Sequence, residues 1–384
     1  MPSVADALRQ HADGYLHQYG ERMPTEHKRV LAAITRCRTG ALGFLRYDCG
    51  PCRRTHWVGR SCGNRHCPNC QSDKTQVWLA KRTAQLLPVP YFLVTLTVPE
   101  ALRKIVRANQ RVCYQALFDT GSQTIRELAA GRRFIGTDRL GFFGALHGHR
   151  SPIGGLVGGR DPTVYHPHVH FVVPGGGVSQ DGSCWQAAPA NFLLPEKAAS
   201  IVYRAKFRDA MREAGLLDQI DAKVWKQKWV FDVEAVGDGR ATLKYLAPYV
   251  YRAAISNNRI TNVDESTVTY RVTPSDSRPP YSRPVSGHEF VRGFLQHTLP
   301  RNFHRLRYYG FASPNSKLQF AWVRMLVWFY LGWCYWLARE AEPEPIEKPP
   351  VRCAECGGAM QLVAITDGSG RLLYNHPLPY LDSG

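Results

Sequence analysis

The sequence predicts a layered fold of the α+β class, with an α/β arrangement as the alternative, in which helices cover a sheet floor. Segments rich in β-branched and aromatic residues, at 91–98 and Gly141–His147, alternate with segments of helical periodicity such as 196–215. This alternation is typical of layered domains. The 384 residues, 44% of them hydrophobic, are enough for a buried core and for two or three domains.

The composition indicates a polyanionic partner. The chain carries 49 Lys and Arg against 31 Asp and Glu, a formal net charge of +18. The excess is spread over every region, as expected of a protein that contacts a phosphate backbone; a basic surface that serves only solubility is the alternative. The first residues, MPSVADALRQ, lack a basic segment followed by an apolar one, so we expect a cytoplasmic protein without a secretory signal.

Cysteines near the N-terminus predict a zinc module. Six of the 11 cysteines lie within residues 37–70, which in a chain without an export signal favours metal binding over disulfides. Cys49 and Cys52 form one Cys-x2-Cys pair, and Cys67 and Cys70 form a second pair fourteen residues later. Two such pairs can supply all ligands of one tetrahedral Zn²⁺, so we predict one structural zinc at these four residues. The other candidates are Cys37, Cys62, His56 and His66.

Four elements are predicted to follow this module. Ser72 can cap a helix that reaches Leu87, where two nearby prolines end it. Residues 91–98 are predicted to form a strand, and Pro99 to open a long helical region. Gly141–His147 is predicted to form a second short strand.

The stretch YHPHVHFVVPGGG, residues 165–177, contains a candidate metal site. His168 and His170 flank one apolar residue, so on a strand both imidazoles project from the same face and can share a metal ion. The glycines that follow allow the backbone to approach a ligand closely. Ordinary half-buried histidines are the alternative. Three more histidines are available as a third ligand: His147, His149 and His166.

A pair of tyrosines follows a predicted basic helix at 196–215 and a predicted strand at 229–236. Tyr245 and Tyr249 are spaced to share one helix face. Near a metal ion, a phenolic oxygen can attack a phosphodiester and form a covalent phosphotyrosine link. The alternative is that both are core residues, and Pro248 between them should kink a helix interior.

A basic and aromatic region occupies part of the last third of the chain. Residues 262–272 predict a hairpin, and 274–284 a linker rich in proline and serine. Residues 290–309 then interleave aromatics with arginines, which suits stacked bases and phosphates of single-stranded DNA, although an ordinary amphipathic helix is the alternative. The candidate DNA-binding residues are Arg292, Arg301, Arg305 and Arg307.

Two features close the sequence. Residues 320–338 approach the length of a membrane span, but Arg324 interrupts them, so we expect a buried or partner-facing helix and no membrane partner; a membrane span is the alternative. Cys353 and Cys356 form a further Cys-x2-Cys pair without an evident partner pair.

Taken in order, these motifs resemble the rolling-circle transposases of the insertion-sequence 91 family, within the HUH (His-hydrophobe-His) endonucleases. The resemblance is carried by SCGNRHCPNCQ, HPHVHFVVPGGG, YLAPYVYRAAISNNRI and FVRGFLQHTLPRNFHRLRYYGF. It implies an α+β fold with a zinc-binding module at residues 1–75 and an HUH endonuclease domain, a central antiparallel sheet flanked by helices, at 76–275. A mostly helical C-terminal region would occupy 276–384.

The resemblance also implies an activity. Such an enzyme nicks single-stranded DNA at transposon ends, stays attached to the 5′ phosphate through tyrosine, and passes that end to a 3′ hydroxyl of the target DNA. Tyr249 and then Tyr245 would be the nucleophiles. His168, His170 and His166, with His147 as the other candidate for the third position, would hold Mg²⁺ or Mn²⁺. Whether the chain forms homo-oligomers stays open.

Other functions fit parts of the sequence. Plasmid-type replication initiators and relaxases are more distant HUH relatives. The His-x-His-x-His run that begins at His166 also matches histidine-triad nucleotide hydrolases, in which His168 would attack phosphorus, but those proteins are small and lack zinc knuckles. A zinc-containing DNA-binding protein without catalytic activity is the remaining alternative.

Overall fold

The computed structural model of the chain describes residues 2–70, 72–148, 164–251, 255–274, 279–332 and 350–376. In these residues the α-helices are α1 (Val4–Tyr19), α2 (Thr25–Thr35), α3 (Ser72–Thr83), α4 (Arg103–Ala108), α5 (Gln110–Ala129), α6 (Glu196–Glu213), α7 (Arg240–Tyr251), α8 (Gly287–Leu295) and α9 (Phe320–Leu331). The strands are β1 (Phe44–Cys49), β2 (Thr55–Gly59), β3 (Tyr91–Thr97), β4 (Gly141–His147), β5 (His168–Pro174), β6 (Gly176–Val178), β7 (Trp185–Ala187), β8 (Phe231–Ala235), β9 (Ile260–Val263), β10 (Thr267–Val272), β11 (Tyr281–Ser286), β12 (Leu306–Gly310), β13 (Met360–Thr366) and β14 (Leu372–Asn375).

A five-stranded antiparallel sheet lies at the centre, in the order β12-β4-β5-β3-β8. Every residue of β3, β4 and β5 is buried, as expected for strands that are covered on both faces. The register places His168 opposite Thr97 of β3 and His147 of β4. The predicted central antiparallel sheet is therefore confirmed.

Helices cover the two faces of the central sheet. On one face, Val94 and Phe171 of the sheet share a hydrophobic core with residues of α5 and α6. On the opposite face, Leu93, Phe143 and Val172 share a second core with residues of α3, α7 and α9. Because successive residues of a strand point to opposite faces, His168 and His170 project on the side of Val172, where α7 packs.

A smaller sheet joins the two ends of the chain in the order β14-β13-β1-β2. The region after residue 275 was predicted to be mostly helical, but its described residues contain four strands, β11, β12, β13 and β14, beside the helices α8 and α9. These strands find their partners far away in sequence, which local patterns do not reveal. The predicted linker at 274–284 is likewise wrong from Tyr281 onward, where β11 pairs with β10.

The N-terminal helices pack on a three-stranded sheet with the order β11-β10-β9. Residues of α1, α2 and α8 form a third core with β9 and β10, and Cys37 and Cys67 belong to it. Segments from both halves of the chain thus fold together. The predicted boundaries at residues 75 and 275 stay predictions.

Most predicted elements are present. The bounds of β4 match the prediction, and α3, β3, α6, β8 and the β9–β10 hairpin lie within about one turn or a few residues of their predicted positions. Helix α9 ends at Leu331, and the rest of the apolar run, residues 333–338, lies outside the described residues. Among the described helices, none is both long and apolar enough to cross a bilayer.

Candidate active site

Three buried histidines meet on the α7 side of the central sheet. His168 and His170 come from β5 and His147 from β4, and each offers a ring nitrogen within 4.8 Å of the others. The Nε2 atoms of His168 and His170 are 3.1 Å apart. Two nitrogens bound to one ion at about 2.1 Å are separated by roughly 3.0–3.4 Å, so this spacing fits a shared metal ion.

Hydrogen bonds orient both imidazoles of β5. The Nδ1 of His168 donates to the carbonyl oxygen of His166 at 2.8 Å, which leaves the Nε2 lone pair for a ligand. The Nδ1 of His170 lies 2.8 Å from the hydroxyl of Thr95 on β3. Burial lowers the pKa of His168 to about 4, so its ring is neutral near pH 7, as a metal ligand must be.

Of the two candidates for the third ligand, His166 and His147, the structure places His147 beside His168 and His170. His166 precedes β5, and its Nδ1 lies 2.8 Å from a guanidinium nitrogen of Arg103. The β4–β5 register instead places His147 directly opposite His168. Its ring centroid is 4.7 Å from that of His170. His149, another candidate, lies outside the described residues.

Helix α7 brings the tyrosine segment to the same face of the sheet. Tyr245 is partly buried against the core that contains Val172, which follows His170 by two residues on β5. The helix continues through Pro248, so this proline does not end it. The side chain of Tyr249 lies outside the described part of the structure.

The four cysteines predicted to share one zinc are divided between two groups. The first group is Cys37, Cys62, Cys67 and Cys70, and the second is Cys49, Cys52, Cys353 and Cys356. Pairing of β1 with β13 explains the division, because it brings the C-terminal Cys-x2-Cys pair beside the N-terminal one. The partners of Cys353 and Cys356, which the sequence did not reveal, are therefore Cys49 at the end of β1 and Cys52 just after it.

The first cysteine group has the geometry of a zinc site. The Sγ atoms of Cys62 and Cys70 are 3.6 Å apart, and those of Cys37 and Cys67 are 3.7 Å apart. Tetrahedral zinc with Zn–S bonds of about 2.3 Å separates its sulfurs by about 3.8 Å. Nearby, Arg65 donates to the carbonyl oxygen of Pro300 at 2.8 Å, which ties this group to the chain before β12.

The four arginines predicted to bind DNA have different environments. Arg292 and Arg301 are exposed, and the Nε of Arg292 donates to Glu289 at 2.8 Å. Burial, followed by the charge of Arg65, lowers the pKa of Arg305 to about 10. The guanidinium of Arg307 lies 4.4 Å from the ring centroid of Phe118 and 5.1 Å from that of Phe303. Part of the basic and aromatic pattern thus packs inside the protein, and DNA binding by these residues stays a prediction.

Comparisons with known proteins show that this chain is similar to transposases. A family model described as a transposase zinc-binding domain matches residues 7–98, and one described as a putative transposase matches residues 159–319. The chain is 35% identical over 340 residues to the putative transposase y4qJ of Sinorhizobium fredii, covering 83% of this chain and 82% of that protein. It is 25% identical over 362 residues to the transposase for insertion sequence element IS801 of Pseudomonas savastanoi pv. phaseolicola, covering 86% and 82%. No solved structure is significantly similar to the chain.

Proposed function

This chain belongs to the insertion-sequence 91 family of transposases, and we propose that it nicks single-stranded DNA at transposon ends by tyrosine attack, as in rolling-circle transposition. The observation that carries the proposal is the placement of two elements. Three buried histidines, two of them oriented by hydrogen bonds, and the tyrosine-bearing helix α7 lie on the same face of the central sheet. A phosphate between them would meet both a cation and a phenol.

The proposed reaction exchanges one phosphate ester bond for another, so it needs no external energy source. The Oη of Tyr249 attacks phosphorus and loses its proton, and the bond from phosphorus to the 3′ oxygen breaks. The 3′ oxygen leaves with a proton, and the 5′ phosphate remains esterified to the tyrosine. Attack by a 3′ hydroxyl of the target DNA reverses these steps and releases the phenol. Tyr245, one turn earlier on the same helix, would serve as the second nucleophile.

His147, His168 and His170 would hold the catalytic ion, which we take to be Mg²⁺ or Mn²⁺. Such an ion would polarise the phosphate and offset the charge that develops on its oxygens. Three nitrogen ligands suit Mn²⁺ better than Mg²⁺, which prefers oxygen. The hydrogen bond between Thr95 and His170, and the one that His168 donates to the carbonyl oxygen of His166, would hold two of the imidazoles in position for the ion.

The zinc-binding domain would dock the transposon end. We assign the structural zinc of this domain to the first cysteine group, which lies in the core shared by α1, α2 and α8. The exposed Arg292, on α8, and Arg301 would contact the DNA backbone.

The test is to incubate the protein with labelled single-stranded transposon ends and Mn²⁺, then to map the DNA-linked peptide by mass spectrometry. We expect an adduct at Tyr249, lost on Tyr249→Phe without loss of DNA binding. Tyr251→Phe, in the same helix, is the matched control and should form the adduct normally. A normal yield of adduct from a Tyr245→Phe/Tyr249→Phe double variant would overturn the proposal.

A chelator separates this function from its rivals. EDTA should abolish the nick, whereas a histidine-triad hydrolase needs no metal. If every strand stays intact with Mg²⁺ and with Mn²⁺ while DNA still binds, the chain is a DNA-binding protein without catalytic activity.

A further inference from the structure

The second cysteine group has sulfur spacings that match a zinc site. The Sγ atoms of Cys49 and Cys356 are 3.5 Å apart, and those of Cys52 and Cys353 are 3.7 Å apart. All four Sγ atoms lie within 4.8 Å of one another. The expected separation around a tetrahedral zinc is about 3.8 Å, so these thiols already surround a space of the correct size.

The two pairs form turns with the same backbone hydrogen bonds. The carbonyl of Cys49 accepts from the amide of Arg53 at 2.9 Å, and the carbonyl of Cys353 accepts from the amide of Gly357 at 3.0 Å. The amide of each first cysteine also donates to the carbonyl five residues later, at 2.9 Å and 2.8 Å.

The residue after each second cysteine is left-handed. Arg53 has φ 55° and Gly357 has φ 71°. An arginine rarely adopts this conformation, because its Cβ crowds the following carbonyl oxygen. Its presence here indicates that the backbone hydrogen bonds of the turn outweigh this steric cost.

Packing between the turns leaves little freedom for the sulfurs. Strand pairing sets Cys49 opposite Met360, so the turn after β1 and the turn before β13 lie at the same end of the sheet. A Cβ on Gly358 would lie 2.7 Å from the Cγ of Pro51 and 3.3 Å from the Sγ of Cys356. The two turns are therefore in direct contact.

His56, on the neighbouring strand β2, lies within hydrogen-bond distance of one of the four sulfur atoms. The Nε2 of His56 on β2 lies 3.2 Å from the Sγ of Cys353. An N–H at this position donates to a thiolate and stabilises its charge, as is usual around metal-bound thiolates.

We propose that Cys49, Cys52, Cys353 and Cys356 bind a second zinc ion, separate from that of the first cysteine group, which fastens the C-terminal strands β13 and β14 to the N-terminal β1 and β2. The family model of the zinc-binding domain ends at residue 98, so half of this site lies outside it. The second site is also the more accessible one, because Cys356 is exposed while Cys37 and Cys67 are fully buried.

Counting thiolate-bound zinc tests the proposal. Titration of the full-length protein with a mercurial reagent, which attacks thiolates and spares histidine ligands, should release two zinc ions per chain. A Cys353→Ser/Cys356→Ser variant should release one. Cys184→Ser, at an exposed cysteine outside both groups, is the matched control and should release two. Release of a single zinc by the wild type, or of two by the double variant, would contradict a second site.

Alkylation of the wild type provides a second measurement that does not depend on any variant folding. In the zinc-loaded protein, Cys353 and Cys356 should react at least about tenfold more slowly than Cys184, and chelation should remove the difference. Peptide mapping by mass spectrometry gives the rate at each position. Equal rates at Cys356 and Cys184 before chelation would refute the proposal, because both residues are exposed.

Discussion

The histidine group and the cysteine groups differ in what they leave open. Each cysteine group offers four thiolates, a complete tetrahedral shell, whereas the histidine group offers three ring nitrogens. A complete shell of protein ligands holds structure, and an incomplete shell leaves positions for substrate oxygens. Ligand number therefore separates the regions that stabilise this protein from the region that we propose to be catalytic.

Their supports differ as well. Most of the cysteines lie in turns and loops outside the regular strands and helices, and each group joins separate segments of the chain, so a bound metal would help to hold these segments together. The histidines of the β4–β5 pair are fixed by a sheet that is covered on both faces. Loss of a metal should therefore unfold the cysteine regions locally but leave the histidine region folded.

The largest expected effect follows from His168→Ala. Removal of this ligand should reduce nicking by at least about 10³-fold in Mg²⁺ and in Mn²⁺, because charge stabilisation at the phosphate is lost. Zinc content and circular dichroism should not change, since the cysteine groups are elsewhere. Cleavage assays with zinc analysis measure both; a parallel loss of zinc would erase the distinction between the regions.

A matched pair of variants tests which histidine completes the group. His147→Ala should weaken Mn²⁺ binding and nicking by about 10²-fold, as expected when one of three ligands is lost. His166→Ala should have a much smaller effect, because its side chain lies against Arg103 and only its backbone carbonyl serves the site. Mn²⁺ titration followed by electron paramagnetic resonance measures the affinity. The reverse order of effects would restore His166 as the ligand.

Thr95→Val should produce a moderate loss. The valine keeps the shape of the strand but removes the hydrogen bond to Nδ1 of His170, and loss of such a partner costs about tenfold in metal affinity. Thr97→Val, at a buried threonine on the same strand face, is the control. Equal affinities for the Thr95 and Thr97 variants would show that the hydrogen bond does not orient the ligand.

The smallest expected effect is a loss of folding stability at acidic pH that comes from protonation of His168. The unfolded chain protonates His168 below its usual pKa of 6.5, whereas burial keeps the folded ring neutral until about pH 4. The free energy of unfolding should therefore fall as pH decreases through this window, by at most about 3 kcal/mol. Urea denaturation of wild type and His168→Gln at about pH 7.5 and about pH 5 measures it. An identical pH dependence in both proteins would exclude this contribution.

Much of the fold was predictable because it depends on local patterns. Alternating and apolar runs predicted β3, β4 and β8, and helical spacing predicted α3 and α6. The strands β11 and β13 were missed, because a short strand is stable only beside a partner, and their partners depend on distant pairing.

The sequence by itself determined that His168 and His170 share a face, because a strand has a period of two, and that each Cys-x2-Cys pair forms one turn. Only the tertiary structure decided which of these local units meet. The β4–β5 register placed His147 beside His168, and the β1–β13 pairing placed Cys49 beside Cys356. Such choices depend on how the whole chain lowers its free energy by packing, and no short stretch of residues contains that information.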